Sequence, residues 1–458
     1  MPRSAFCRTP LAAAVLAALS VPVQASLLDD ATPVLTLRTL PEGYRFSSFD
    51  VVALPDAQVA VVWTEHHSGL TDPDLLVLQR FDQNGAPVGE ALTLFEEQAS
   101  TASLSQARIA ADEQGNMVVA WSRQQGGSLS TDCNGVVQFV RISTDGDVST
   151  TSSPDAGASG GQCHPAVAMD ADGDFAVLWL DDNSVPTHYL RTFQANGSAL
   201  AGPTLVATPN GNTPAALAMQ RDGTLMTAWR TNSILQGRRI SLNGTSLDAA
   251  ARLDGSALTA SLIQQDPALA ADQDGGFAAL WSEFNPNADT EDMEVTLRGQ
   301  RWHADGTAGD AFLLANMANN GSDYFSAPSL GADSEGNLAA AWVLMSPHAP
   351  DAPQATALDA DSEVIGEPRI AWTDGITSNS DLSTPRLAMS DEVIALTWSH
   401  RTEYGEPEQL QMRLAPPLAD PATIPPPARG GGGGGGASWL LLWPLAALGL
   451  MRRRIHRG

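Results

Sequence analysis

The feature that most constrains this chain is a recurring tryptophan. Trp63, Trp121, Trp179, Trp229, Trp281, Trp342 and Trp398 are separated by 58, 58, 50, 52, 61 and 56 residues. Each closes an apolar run: VAVVW, MVVAW, FAVLW, LMTAW, FAALW, LAAAW and VIALTW. In five of the seven runs a glycine (Gly115, Gly173, Gly223, Gly275, Gly336) stands six residues before the tryptophan, behind polar turn residues such as DEQG and DADG. A fixed period near 50 residues means stacked copies of one supersecondary unit, none of which buries its apolar faces alone.

Residues 165–206 show the grammar of one unit. PAVAMD reads as a strand, DADGD as a tight turn, FAVLWL as a second strand, THYLRTF as a third, QANGSALAG as a turn and PTLVAT as a fourth. The second strand is apolar at nearly every position, so it is buried on both faces, as when sheets stack face against face. Four short antiparallel strands repeated seven times predict an all-β, seven-bladed β-propeller. The last repeat ends without a fourth strand, and an orphan strand-like segment, PVLTLRTL at residues 33–40, precedes the first. That segment is expected to pair as the outer strand of the seventh blade and close the ring. The repeat resembles exported bacterial propellers with four-stranded blades. It lacks the sialidase Asp-box order, the paired kelch glycines and the WD40 pairs, so the resemblance carries over no catalytic residue.

Both ends read as addresses. Residues 1–25 carry Arg3 and Arg8, an apolar run from Leu11 to Leu19, and small residues up to Ala25. This is a secretory signal peptide with cleavage expected after Ala25, its apolar run being too short to span a bilayer. The propeller is assigned to residues 26–415 and a Pro/Gly-rich linker to 416–436. Residues 437–458 form an apolar segment, Ala437 to Met451, followed by Arg452, Arg453, Arg454 and Arg457. The order of glycine run (Gly430 to Gly436), apolar run and arginine run resembles the GlyGly-CTERM sorting tail. The resemblance implies a rhomboid-like sorting protease cutting near Gly430 and Gly431, then type II secretion to the cell surface or medium, after transient anchorage in the inner membrane. Retention as a transmembrane helix is the alternative. The mature chain then holds only Cys133 and Cys163, and an even pair in an oxidising compartment reads as one disulfide.

Charge excludes some partners. The chain has 52 Asp and Glu against 25 basic residues, all arginine, for a net charge of −27. Removing 1–25 and 430–458 takes away six arginines and no acid, so the mature balance is 19 minus 52, or −33. Such a surface repels nucleic acid and bare anionic membrane.

Loops after the second strand vary widely, as in EHHSGLTDPD and SEFNPNADTEDME, whereas the turns after the first and third strands are short. Variable loops on a rigid ring are where binding resides. The first strands align on a position seven before the turn glycine. It is small in most blades (Ala166, Ala216, Ala268, Ser329) but Arg386, Asp50 and Arg108 in blades seven, one and two, which adjoin in a closed ring. These three are the candidate ligand site, for an anion or carboxylate at the channel mouth, with an ion-pair network as the alternative. Third-strand arginines (Arg80, Arg141, Arg239, Arg301, Arg413) recur with the period and so belong to the scaffold, as does the tryptophan row. Asp170, Asp172 and Asp174 read as a hairpin turn, with calcium the one cofactor left open. Glu65, His66 and His67 read as a solvated loop without metal-ligand spacing, and no metal site is assigned. The expected function is a secreted or cell-surface binding protein whose ligand, a glycan or protein, meets the variable-loop face. The alternative is an extracellular polysaccharide hydrolase or lyase using loop carboxylates such as Glu283, Asp289 and Glu403. Neither a Ser-His-Asp arrangement nor a nucleotide loop is present, and no catalytic residue is assigned.

Overall fold

The computed structural model describes residues 32–418, apart from 68–71, 99–101, 126–132, 156–160, 183, 255–262, 265, 273–274, 285–293, 319–323, 346–350, 371–380 and 404–405. The signal peptide, Ala25, Gly430, Gly431 and the C-terminal tail lie outside the described residues.

Seven antiparallel sheets follow one another along the chain. Blade 1 is built from Tyr44–Leu54, Gln58–His67, Asp74–Phe81 and Pro87–Glu97, from the channel outwards. The first strands of successive blades adjoin in order, and that of blade 7 returns to that of blade 1, which makes the structure a seven-bladed β-propeller. Closure is by the N-terminal segment. Leu35–Thr39 pairs antiparallel with Gln409–Ala415 of blade 7, with Leu35 opposite Met412 and Thr39 opposite Gln409. Arg413 donates to the Thr32 carbonyl, and Arg38 makes a two-pronged contact with Glu65 of blade 1 at 2.9 and 3.0 Å. The closing strand therefore ties the last blade to the first.

Each tryptophan is the wedge between two blades. Trp121 of blade 2 packs with Ala60, Val62, Leu76 and Leu78 of blade 1, and Trp229 of blade 4 with Ala176, Leu178 and Leu190 of blade 3. Trp398 of blade 7 meets Ala339 and Ala341 of blade 6, and Trp63 meets Ala395 and Met412 of blade 7, which completes the circle. The strand period explains the pattern. Val59, Val61 and Trp63 face one neighbouring blade while Ala60 and Val62 face the other. Hence the second strand is apolar throughout, and the positions three and one before the tryptophan stay small enough to receive the next indole.

Outside that core, arginines latch neighbouring blades. Arg80 donates to the Ser143 and Thr144 carbonyls of the next blade, Arg141 to that of Ala195, Arg239 to that of Ala304 and Arg301 to that of Asp359. The hairpin aspartates are equally local. Asp112, Asp170 and Asp333 each accept from the backbone N–H groups two and four residues on, and a left-handed glycine completes each turn.

Four strands per blade holds in six blades, with the first strand broken in two in blades 5, 6 and 7. In blade 2 the sheet has three strands, Ala102–Ala111, Met117–Gln125 and Val136–Ile142, and the fourth is reduced to bridges at Val148 and Ser152. Ser149 Oγ, rather than a ladder carbonyl, accepts from Arg141 N at 2.9 Å, and Pro154 has no N–H to extend the pairing.

Two substitutions test this packing. Ala176→Leu fills the seat of Trp229 and should destabilise by roughly 1–3 kcal/mol in chemical denaturation. At Gly135 an added Cβ would lie 2.2 Å from the Arg123 carbonyl oxygen, whereas at Gly202 nothing lies within 4 Å. Gly135→Ala should therefore lower the thermal midpoint by several degrees and Gly202→Ala leave it nearly unchanged.

Candidate functional site

The first strand of every blade is an edge strand, its free side turned to the channel. Proline is tolerated there because no ladder partner needs its missing N–H, and Pro165, Pro267 and Pro328 line the channel cavity. That cavity has a volume of about 340 Å³ and takes residues from all seven first strands.

The register fixes the aligned position. Asp50 stands opposite Val62, Arg108 opposite Ala120, Ala166 opposite Leu178 and Ala216 opposite Ala228. Ala268 stands opposite Leu280, Ser329 opposite Ala341 and Arg386 opposite Thr397. In each blade the partner is the residue just before the tryptophan, so the seven positions are equivalent. Asp50, Arg108 and Arg386 line the same cavity, on the adjoining blades 1, 2 and 7.

Their duties differ. Asp50 Oδ2 accepts from Ile109 N at 3.2 Å, the service that Ser329 Oγ performs for Leu387 N at 2.9 Å. Arg108 Nη1 donates to the Ala107 carbonyl at 2.8 Å. Burial, with the Arg386 charge beside it, holds Arg108 down to about 10 against the opposing pull of Asp50, so the guanidinium stays charged at neutral pH. No group among the described residues accepts a hydrogen bond from the Arg386 guanidinium. Two guanidiniums against one carboxylate leave this wall with one net positive charge.

Three polar residues that the sequence did not single out complete the cavity: Gln106, His164 and Asp266. Each lies two residues before the aligned position of its blade. Gln106 and His164 both adopt left-handed backbone, at φ 57° and 52°, in bulges of their strands. Gln106 Oε1 accepts from His164 N at 2.7 Å and from Ser122 Oγ at 2.9 Å, and its Nε2 lies 3.1 Å from His164 Nδ1. Burial and the Arg108 charge depress His164 to about 4, so its imidazole is neutral. Burial raises Asp266, and Arg230 at 3.3 Å opposes that shift. The sequence signal was available in the 58-residue offset of Gln106 and His164, which matches that of Trp121 and Trp179.

Cys133 and Cys163 form a disulfide with a Cα separation of 5.0 Å, joining the loop of blade 2 to the first strand of blade 3. Other sequence readings are corrected. Glu65 and His66 lie within the strand Gln58–His67 and are buried, not on a solvated loop. Glu65 accepts from Trp63 Nε1, and His66 Nδ1 pairs with Asp74 at 3.0 Å. Glu283, too, is a buried strand residue, accepting from Trp281 Nε1 at 3.0 Å and Gln264 Nε2 at 3.2 Å. Glu403 is exposed, and Asp289 lies outside the described residues. The hairpin-turn reading of Asp170 and Asp174 stands, for both spend oxygens on backbone N–H groups, Asp174 on that of Ala195 at 2.9 Å.

His188 supplies a test of the buried polar layer. Its Nε2 faces the Thr213 carbonyl at 2.9 Å, and burial depresses it to about 4 from 6.5. The unfolded chain therefore binds the proton more tightly, and stability falls as pH drops from 6.5 towards 4. His188→Gln, which keeps a donor for Thr213, should flatten that fall in thermal midpoint relative to the parent chain.

No family model matches the sequence, and no curated protein matches it. Solved structures with a similar arrangement include a protein of unknown function from Dyadobacter fermentans, with a TM-score of 0.47, 12% identity, and coverage of 84% of this chain and 99% of that one. A Hadza microbial sialidase gives 0.43 and 12%, over 82% of this chain and 66% of that one. An α-L-arabinanase from Penicillium chrysogenum, complexed with arabinobiose, gives 0.42 and 10%, over 86% and 98%.

Proposed function

We propose that this protein is an exported binding protein, displayed on the surface or released, that captures a carboxylate-bearing ligand at the mouth of the propeller channel on its variable-loop face. The observation that carries this reading is the Arg386 guanidinium beside Arg108 and Asp50, without an acceptor among the described residues, one net positive charge inside a chain of net charge −27. A half-buried cation beside a second guanidinium is held apart from much of its hydration, and a planar carboxylate offers it a two-pronged acceptor. The cavity, at about 340 Å³, fits a small acid or the acidic end of a larger ligand. Gln106, Ser329 and the neutral His164 are at hand for hydroxyl or amide groups. Export rests on the leader ending at Ala25 and the tail from Gly430, and intact mass of the released protein should give termini at Ser26 and within the glycine run. Of the carboxylates named for the hydrolase reading, Glu283 is engaged by Trp281 Nε1 and Gln264 Nε2.

Calorimetric titration with small carboxylic acids and carboxylated oligosaccharides tests the binding reading. Arg386→Leu should weaken binding by roughly tenfold or more while thermal stability holds or rises, since the change removes an uncompensated charge. Binding that survives in Arg386→Leu and Arg108→Leu alike would place the ligand elsewhere.

A further inference from the structure

In a regular strand, consecutive side chains point to opposite faces, so Cys163 and His164 should share nothing. The bulge in Gln162–Met169 breaks that rule. Leu178 pairs with Ala166 and Leu180 with Cys163, which leaves His164 and Pro165 together against the single residue Trp179. With its left-handed φ of 52°, His164 returns its imidazole to the side of the sulfur. One ring nitrogen of His164 and the sulfurs of Cys133 and Cys163 all lie within 4.8 Å of one another. The donors come from two blades, held together at the wall of the channel.

We propose that Cys133, Cys163 and His164 form a redox-gated metal site, which takes Zn²⁺ or a similar borderline divalent ion once the disulfide is reduced. A dithiol reductant supplies two electrons and two protons. The S–S bond breaks, two thiols form, and the reductant is left as a disulfide. Each thiol then gives one proton to solvent as its sulfur binds the ion. Two thiolates and one imidazole are a zinc donor set, and three protein ligands leave the fourth position open. His164 lines the channel cavity, the route by which an ion would reach the sulfurs. The outer contacts are in place as well. Gln106 Oε1 accepts from His164 N at 2.7 Å, which fixes the backbone that carries the imidazole. Gln106 Nε2 lies 3.1 Å from Nδ1 and is the group that ligation through that nitrogen would displace. Two thiolates cancel the charge of the ion, so Arg108 nearby meets a neutral cluster. In the oxidised chain the sulfurs are bonded to each other and the site is closed.

The purified protein, reduced with a phosphine that is then removed without oxygen, is titrated with Co²⁺ and with Zn²⁺ in competition with a chromophoric chelator. The expected result is one ion per reduced chain, with sulfur-to-cobalt charge-transfer absorption, and none per oxidised chain. Cys163→Ser should lose that absorption, and His164→Ala should keep part of it while weakening affinity by about tenfold or more. Near-ultraviolet circular dichroism reports whether the reduced chain keeps its packed tryptophans. A reduced chain that has unfolded serves equally, because zinc must then restore the signal in the parent and not in His164→Ala. Absence of stoichiometric binding, or of restoration, overturns the proposal, and so does affinity unchanged by His164→Ala.

Discussion

Everything else in this molecule depends on an indole seated between two sheets. Five of the seven repeat tryptophans are among its largest fully buried side chains, and each reaches a strand that kept small residues to receive it. A side chain of this size brings most of the burial energy of an interface to one place. Seven such interfaces also set the geometry. The second strands are committed on both faces, so the first strands are left as the inner edge and the loops beyond the second strands are left without a packing role. Channel and loops are thus the surfaces the scaffold releases for other uses.

The acidic, lysine-free composition makes sense against this scaffold. The aspartates of the hairpins fold back on their own N–H groups, so much of the negative charge closes turns rather than seeking cations. The latches between blades reach carbonyl oxygens at turn apices, sometimes several at once, as Arg301 does with Gly336 and Asp359. A guanidinium has five donors in a fixed fork and an ammonium does not, so arginine suits this task. Close approach has its own requirement. A Cβ on Gly197 would lie 2.7 Å from Arg141 Nε, and the left-handed turn favours glycine there in any case.

Much of the fold was legible because it repeats. The tryptophan spacing, the doubly buried second strand, the closing segment and the alignment of Asp50, Arg108 and Arg386 all follow from one period, and the register agrees for each. What escaped was local. Glu65, His66 and Glu283 looked like loop residues because polar side chains end an apolar run, yet the strand continues and the carboxylates serve the buried indoles. Gln106 and His164 escaped because a bulge with left-handed backbone leaves no compositional mark when the residue is neither glycine nor asparagine. The reduced fourth strand of blade 2 likewise depends on one serine hydroxyl standing in for a carbonyl.

A ring of equivalent blades has no reason to place unlike side chains at equivalent positions, since each departure costs packing that its neighbours keep. Here the departures adjoin. Arg386, Asp50 and Arg108 occupy blades 7, 1 and 2. The two left-handed residues of the first strands lie in blades 2 and 3, and the disulfide joins the same two blades. The incomplete sheet is blade 2. On the far side of the channel the equivalent positions are Ala216 and Ala268, small and apolar. A scaffold under selection for stability alone would spread such costs or remove them. Their concentration on one arc, around a wall whose aligned positions carry a surplus of positive charge, sets that arc apart from the rest of the ring and is where the proposed ligand would sit.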